Sequence, residues 1–167
     1  MGIRTNKVMT ELCQYVDVCI ANEEDAADVF GITAENSEAG NGVIDSQSYA
    51  SVARQLQQRF GFQKVAITLR ESISASDNNW SAILYDGKQV YKSRRYAIHI
   101  VDRIGGGDSF GAGLIYGLTQ YGDPQKALEF AVSASCLKQT IEGDFNLVSK
   151  AEVENLMNGN GSGRILR

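Results

Sequence analysis

The sequence predicts an α/β fold with a mostly parallel sheet, helices on both faces and one β-hairpin. Three observations carry that expectation. Apolar runs of strand length, residues 15–21 and 64–69, alternate with amphipathic stretches of helical length. A strand–helix–strand order favours parallel pairing through right-handed crossovers. A glycine turn, Gly105-Gly106-Gly107, stands between a strand-like run and a helix-like run. In α/β sheets ligands bind beyond the carboxyl ends of the strands.

Residues 1–6 read as the start of a gene rather than of a domain. Helical pattern begins at once, with Val8, Met9, Leu12 and Cys13 on one face. Tyr15-Val16-Asp17-Val18-Cys19-Ile20-Ala21 reads as a buried strand. A short helix follows: Asn22 suits its N-cap, the acids its first turn, and Gly31 its C′ stop. Residues 33–42 are a polar, glycine-containing loop. Residues 45–60 form an amphipathic helix with Tyr49, Val52, Ala53, Leu56 and Phe60 on one face. The second buried strand, 64–69, leads into a polar segment reaching Asn79. Two strand-like runs flank Asp86-Gly87, a strong hairpin signal. Arg94 and Arg95 suit a solvated strand edge. His99 alternates with Ile98 and Ile100 in a strand and reads as structural. Helices are expected at 110–121 and, with Asp123 as cap and Pro124 at its first position, through about 140. A turn at 142–146 and a short helix at 150–158 close the chain before a flexible tail, 159–167. One domain over residues 1–167 is expected.

The glycine turn holds the chemistry. Glycines allow positive φ and a close backbone approach to a ligand. If the turn opens a helix, its free N–H groups converge and the helix dipole adds partial positive charge. Such a point binds phosphate. Asp108 ends the run. Beside an anion site it could accept a proton from a substrate hydroxyl while the N–H groups hold the phosphoryl group that the oxygen attacks. It could equally be an N-cap after a flexible turn. No Gly-Lys-Ser/Thr follows the glycines, so a Walker A loop is excluded. The dinucleotide fingerprint also fails: its third glycine is displaced to Gly111, and Asp123 and Glu129 lie in or beside helical pattern rather than at a strand end.

The stretch Asp102-Arg103-Ile104-Gly105-Gly106-Gly107-Asp108-Ser109-Phe110-x-Ala112-Gly113 resembles the C-terminal signature of the ribokinase-like (pfkB) sugar kinases. It is most similar to that of the 2-keto-3-deoxygluconate kinases. The resemblance implies a ribokinase-like fold and ATP-dependent phosphorylation of a sugar or sugar acid. Gly105, Gly106 and Gly107 would form the anion hole, with Asp108 as catalytic base and substrate contact. Asn22 and Asp25 match the family's Asn-x-x-Glu motif, which helps place Mg2+ and phosphate through water; Asp25 is one methylene shorter than the usual Glu. Thr68, Arg70, Glu71 and Ser72 match the loop that contacts the nucleotide phosphates, with polar residues where glycines are usual. Asp144 matches an aspartate that contacts the sugar acid; on physics alone it is a turn or cap residue. The resemblance covers only the C-terminal half of the family's fold. It therefore implies self-association, or pairing with a missing N-terminal half.

Composition is ordinary for a soluble globular protein. The chain has 167 residues, 43% hydrophobic and 22% charged. Its net charge of −4 argues against nucleic acid as a partner. No apolar run reaches membrane-spanning length, and no signal-peptide pattern opens the sequence. Cys13, Cys19 and Cys136 lack metal-ligand spacing and sit in apolar runs, as reduced thiols of a cytoplasmic protein would. A second reading is a nucleotide-binding or assembly module without turnover, since the sugar site is incomplete.

Overall fold

The computed structural model describes residues 3–22, 24–34 and 46–159. The expected loop at 33–42 and the tail at 159–167 lie almost wholly outside these residues. The chain divides into two compact units, one of residues 1–72 with 81–92, the other of 73–80 with 93–167.

The first unit opens with α1 (Ile3–Cys13), β1 (Val18–Asn22) and α2 (Asp25–Phe30). Then come α3 (Ser46–Phe60), β2 (Lys64–Ser72), the second half of β3 (Asp77–Tyr85) and β4 (Val90–Lys92). β1 begins later than the apolar run predicts. Tyr15 and Val16 donate their N–H groups to the Leu12 and Cys13 carbonyls, which extends the last turn of α1 and leaves Tyr15 at the surface. The predicted face of α3 is its packed face: Val52, Ala53 and Leu56 are buried with Phe62, Val65, Ile67 and Leu69. The strands run in the order β1-β2-β3-β4. β1 and β2 pair in parallel, from Val18 opposite Lys64 to Asn22 opposite Thr68. The parallel pairing expected from the alternation holds there. Beyond it the sheet is mixed, because short turns can join only antiparallel neighbours. The hairpin at Asp86-Gly87 forms as predicted: Asp86 Oδ1 accepts from the N–H groups of Lys88 and Gln89, and Ile83 to Tyr85 pair with Lys92 to Val90.

The second unit holds the first half of β3, β5 (Tyr96–His99), α4 (Gly106–Gln120), α5 (Pro124–Gln139) and α6 (Lys150–Met157). β3 and β5 pair antiparallel, from Asp77 opposite His99 to Trp80 opposite Tyr96. His99 Nδ1 lies 2.7 Å from Asp77 Oδ1 at the surface, a structural pair. Hydrogen bonds from His99 and Ser74 hold the Asp77 carboxyl below the usual carboxylate range. α4 and α5 approach closely because glycines line the contact. A Cβ on Gly117 would fall 2.6 Å from Ala127 Cα, and one on Gly113 2.9 Å from Ala131 Cα. Asp123 caps α5 by accepting from the Gln125 and Lys126 N–H groups, with Pro124 at the first position. Ser149 and Glu152 form a reciprocal capping box on α6. Tyr116, Tyr121 and Phe130 pack ring against ring beside Val153 and Met157.

All three cysteines are free thiols. Burial pushes Cys19 up from 9.0 to about 11, and raises Cys13 and Cys136 as well. A raised thiol pKa means that the folded state favours the protonated form. The resulting stability is complete below the unfolded value of 9.0 and is lost as pH climbs through about 11. The melting temperature should therefore fall across that window, and fall less in Cys19→Ala; circular dichroism melts on both proteins check this. A flat profile would contradict it.

Candidate active site

The site is built where the chain leaves β5 and enters α4. Gly105 takes φ +77°, a left-handed conformation, and stands at the N-cap of α4 without a side-chain cap. Asp102 organises the approach. Its Oδ1 accepts from the Ile104 N–H at 3.0 Å. Its Oδ2 accepts from the Gly143 N–H at 3.0 Å. These two N–H groups hold its carboxyl below the usual range. One aspartate thus clamps two turns distant in sequence.

Three glycines meet three different demands. A Cβ on Gly105 would lie 2.4 Å from the Asp144 carbonyl oxygen. One on Gly106 would lie 3.1 Å from Gln139 Cγ, whereas one on Gly107 would meet nothing within 4 Å. Crowding against backbone thus excludes a side chain at Gly105, one at Gly106 would require the Gln139 side chain to shift, and the third position leaves its backbone open. The Gly106 N–H already donates to the Arg103 carbonyl at 3.2 Å. Ser109 donates to the Gly105 carbonyl at 2.9 Å. Among the described residues, the N–H groups of Gly107 and Asp108 have no partner. They lie in the first turn of a 15-residue helix, where the dipole favours an anion.

Asp108 is exposed and caps nothing, since the N-cap is Gly105. It lines a cavity of about 440 Å³ within the second unit. Gly105, Asp108 and Ser109 from the start of α4 line this cavity together with Asp144, Phe145 and Asn146. Tyr116, Phe130, Val148 and Val153 give it an apolar wall. Asn146 Nδ2 donates to Ser109 Oγ at 2.7 Å, fixing that segment to α4. So the structure brings Gly105, Asp108 and Asp144 to one cavity.

The remaining predicted residues lie in the first unit. Asn22 and Asp25 bond reciprocally ahead of α2, whose N-cap is Glu24 and not the expected Asn22: Asn22 Oδ1 accepts from the Glu24 and Asp25 N–H groups, and Asp25 Oδ2 accepts from the Asn22 N–H at 2.8 Å. Thr68, Arg70, Glu71 and Ser72 are not in a loop. β2 continues through Ser72, and β3 begins at Asp77 after a tight turn. The Ile73 and Ser74 N–H groups donate to the Asp77 carbonyl and close that turn. Thr68 is buried, with Oγ1 donating to the Ala21 carbonyl at 3.4 Å.

Sequence reasoning did not assign the cavity's aromatic wall. A signal was present: glycines four apart in α4 imply close packing on α5, which brings the neighbouring Tyr116 and Phe130 to one flank.

Residues 3–150 match the family described as pfkB family carbohydrate kinase. A solved structure of 2-dehydro-3-deoxygluconokinase from Thermotoga maritima is 47% identical with a TM-score of 0.85, over 93% of this chain and 45% of that one. A pfkB family carbohydrate kinase from Listeria grayi is 27% identical with a TM-score of 0.76, over 92% and 44%. A 2-dehydro-3-deoxygalactonokinase of Haloferax volcanii is 26% identical over 89% of this chain and 40% of its own length. The chain spans less than half the length of these relatives.

Proposed function

Because this chain belongs to the pfkB family of carbohydrate kinases, we propose that it supplies the phosphate-binding and proton-accepting half of an ATP-dependent sugar-acid kinase. The substrate class is that of its relatives, 2-keto-3-deoxygluconate or a close isomer. One observation carries this reading: an exposed carboxylate, Asp108, shares a helix start with two unpartnered N–H groups and opens on a cavity with an apolar wall.

In this reading the phosphoryl group sits on the N–H groups of Gly107 and Asp108. Gly105 and Gly106 shape the turn and keep side chains out of it. Asp108 accepts the proton of the attacking hydroxyl, and Asp144 in the same cavity orients the sugar acid. The apolar wall offers a surface for the nucleotide base. Thr68, Arg70, Glu71 and Ser72 are the proposed nucleotide contacts of the first unit. Magnesium would be carried on the nucleotide phosphates. Asn22 and Asp25 are proposed for an indirect, water-mediated role, since backbone N–H groups already bond Asn22 Oδ1 and Asp25 Oδ2. When bound, magnesium neutralises charge on the β- and γ-phosphates.

The alternative is a binding module without turnover. Calorimetry with ATP and a coupled phosphorylation assay with 2-keto-3-deoxygluconate separate the two. Binding with turnover is expected for the kinase half when a relative's N-terminal half is supplied. Binding that never yields turnover supports the module. Absence of ATP binding sinks both.

A further inference from the structure

Lys138 stands in the last turn of α5 and is 0% exposed, the one fully buried charged residue in the described core. Its Nζ donates to the Ile141 carbonyl at 3.3 Å. Its Cε lies 3.1 Å from the point where a Cβ on Gly105 would stand. The stem therefore packs against the left-handed residue that opens the glycine turn. The head reaches the 141–144 turn, whose Gly143 N–H is held by Asp102. Lys138 also acts electrostatically on the Asp102 carboxylate.

We propose that Lys138 is a positioning residue: an internal cation that ties the Gly105 turn to the 141–144 turn and adds positive potential to the phosphate-binding N–H groups of Gly107 and Asp108. This rests on the reading of those groups as the phosphate site. The physical argument concerns cost. A buried ammonium forfeits its hydration, and an apolar side chain of similar volume would fill the space without that penalty. One hydrogen bond to a neutral carbonyl is poor compensation for a group with three donors. A charge held there becomes favourable when a multiply charged anion lies nearby. The position meets this condition, since the residue that Lys138 packs against is the N-cap of the helix whose first turn would take the phosphate.

Lys138→Met retains the stem and removes the charge. Its affinity for ATP should fall about tenfold to a hundredfold, an interaction of one charge across a short, partly shielded distance. Its affinity for AMP, which lacks the terminal phosphates, should stay unchanged. Calorimetry with both nucleotides reads the split. Equal weakening of both means that the turn has merely collapsed, and overturns the proposal; so does no change in either. If the wild-type chain binds no ATP, the phosphate-site reading fails and this inference falls with it. Should Lys138→Met not fold, the wild-type lysine Nζ resonance gives the answer. It should shift on titration with ATP and not with AMP, and an indifferent resonance overturns the proposal.

Discussion

Asp108→Asn is expected to lower the turnover number by about 10²–10⁴ while ATP affinity stays within a few fold of wild type. The asymmetry follows from the geometry. The side chain makes no capping bond, because the N-cap of α4 is Gly105. Exchange of one carboxylate oxygen for an amide thus leaves the helix start intact. The two unpartnered N–H groups belong to the backbone and survive the substitution. The variant loses a proton acceptor and a negative charge beside the bound phosphates, and the second loss should assist binding slightly. Initial-rate kinetics with calorimetry on the same preparation check both halves. Near-normal turnover would remove Asp108 from the base role. A parallel loss of binding would show that the carboxylate supports the turn instead.

Gly117→Ala is expected to destabilise the second unit by about 2–3 kcal/mol, lowering the melting temperature by roughly 5–10 °C. Alanine is the better helix former by about 1 kcal/mol. Packing outweighs that gain. The new methyl would sit 2.6 Å from Ala127 Cα and 2.8 Å from Ala127 Cβ, so backbone must move rather than a flexible side chain. Gly107→Ala is the contrast. Its methyl meets nothing within 4 Å, so stability should hold or improve slightly, while ATP binding weakens because the open backbone is covered. Thermal melts of the two variants with calorimetry on Gly107→Ala test the pair. A stable Gly117→Ala would mean that α4 and α5 can part at little cost.

Where local chemistry dictates structure, the sequence was a reliable guide. Asp123-Pro124 start α5, Asp86-Gly87 turn the hairpin, and Gly31 in a left-handed conformation stops α2, each for a reason contained within a few residues. The glycine turn was legible only in part: α4 begins at Gly106, four residues before the expected 110, and takes Gly106, Gly107 and Asp108 into its first turn. Residues 70–72 were not legible. Arg-Glu-Ser carries the composition of a loop, yet strand pairing extends through Ser72 because backbone bonds take no account of side-chain polarity. The cavity wall was hidden for another reason. Tyr116, Phe130 and Val153 meet only after three helices dock, and no short window of sequence encodes that. Asn22 and Asp25 show a third case: Asn22 was expected as the N-cap of α2, yet that cap is Glu24, and the two side chains instead bond backbone N–H groups of the preceding turn.

α4 and α5 form a hairpin of helices whose connection, residues 121–123, lies at the far end from the glycine turn and the 141–146 segment. Gly122 there has a left-handed backbone and open space around it. A peptide tag or a fluorescent reporter grafted at that bend would lengthen a link that neither ligand-facing segment depends on. The bend is thus a natural handle for immobilising or labelling the protein while its nucleotide chemistry is measured.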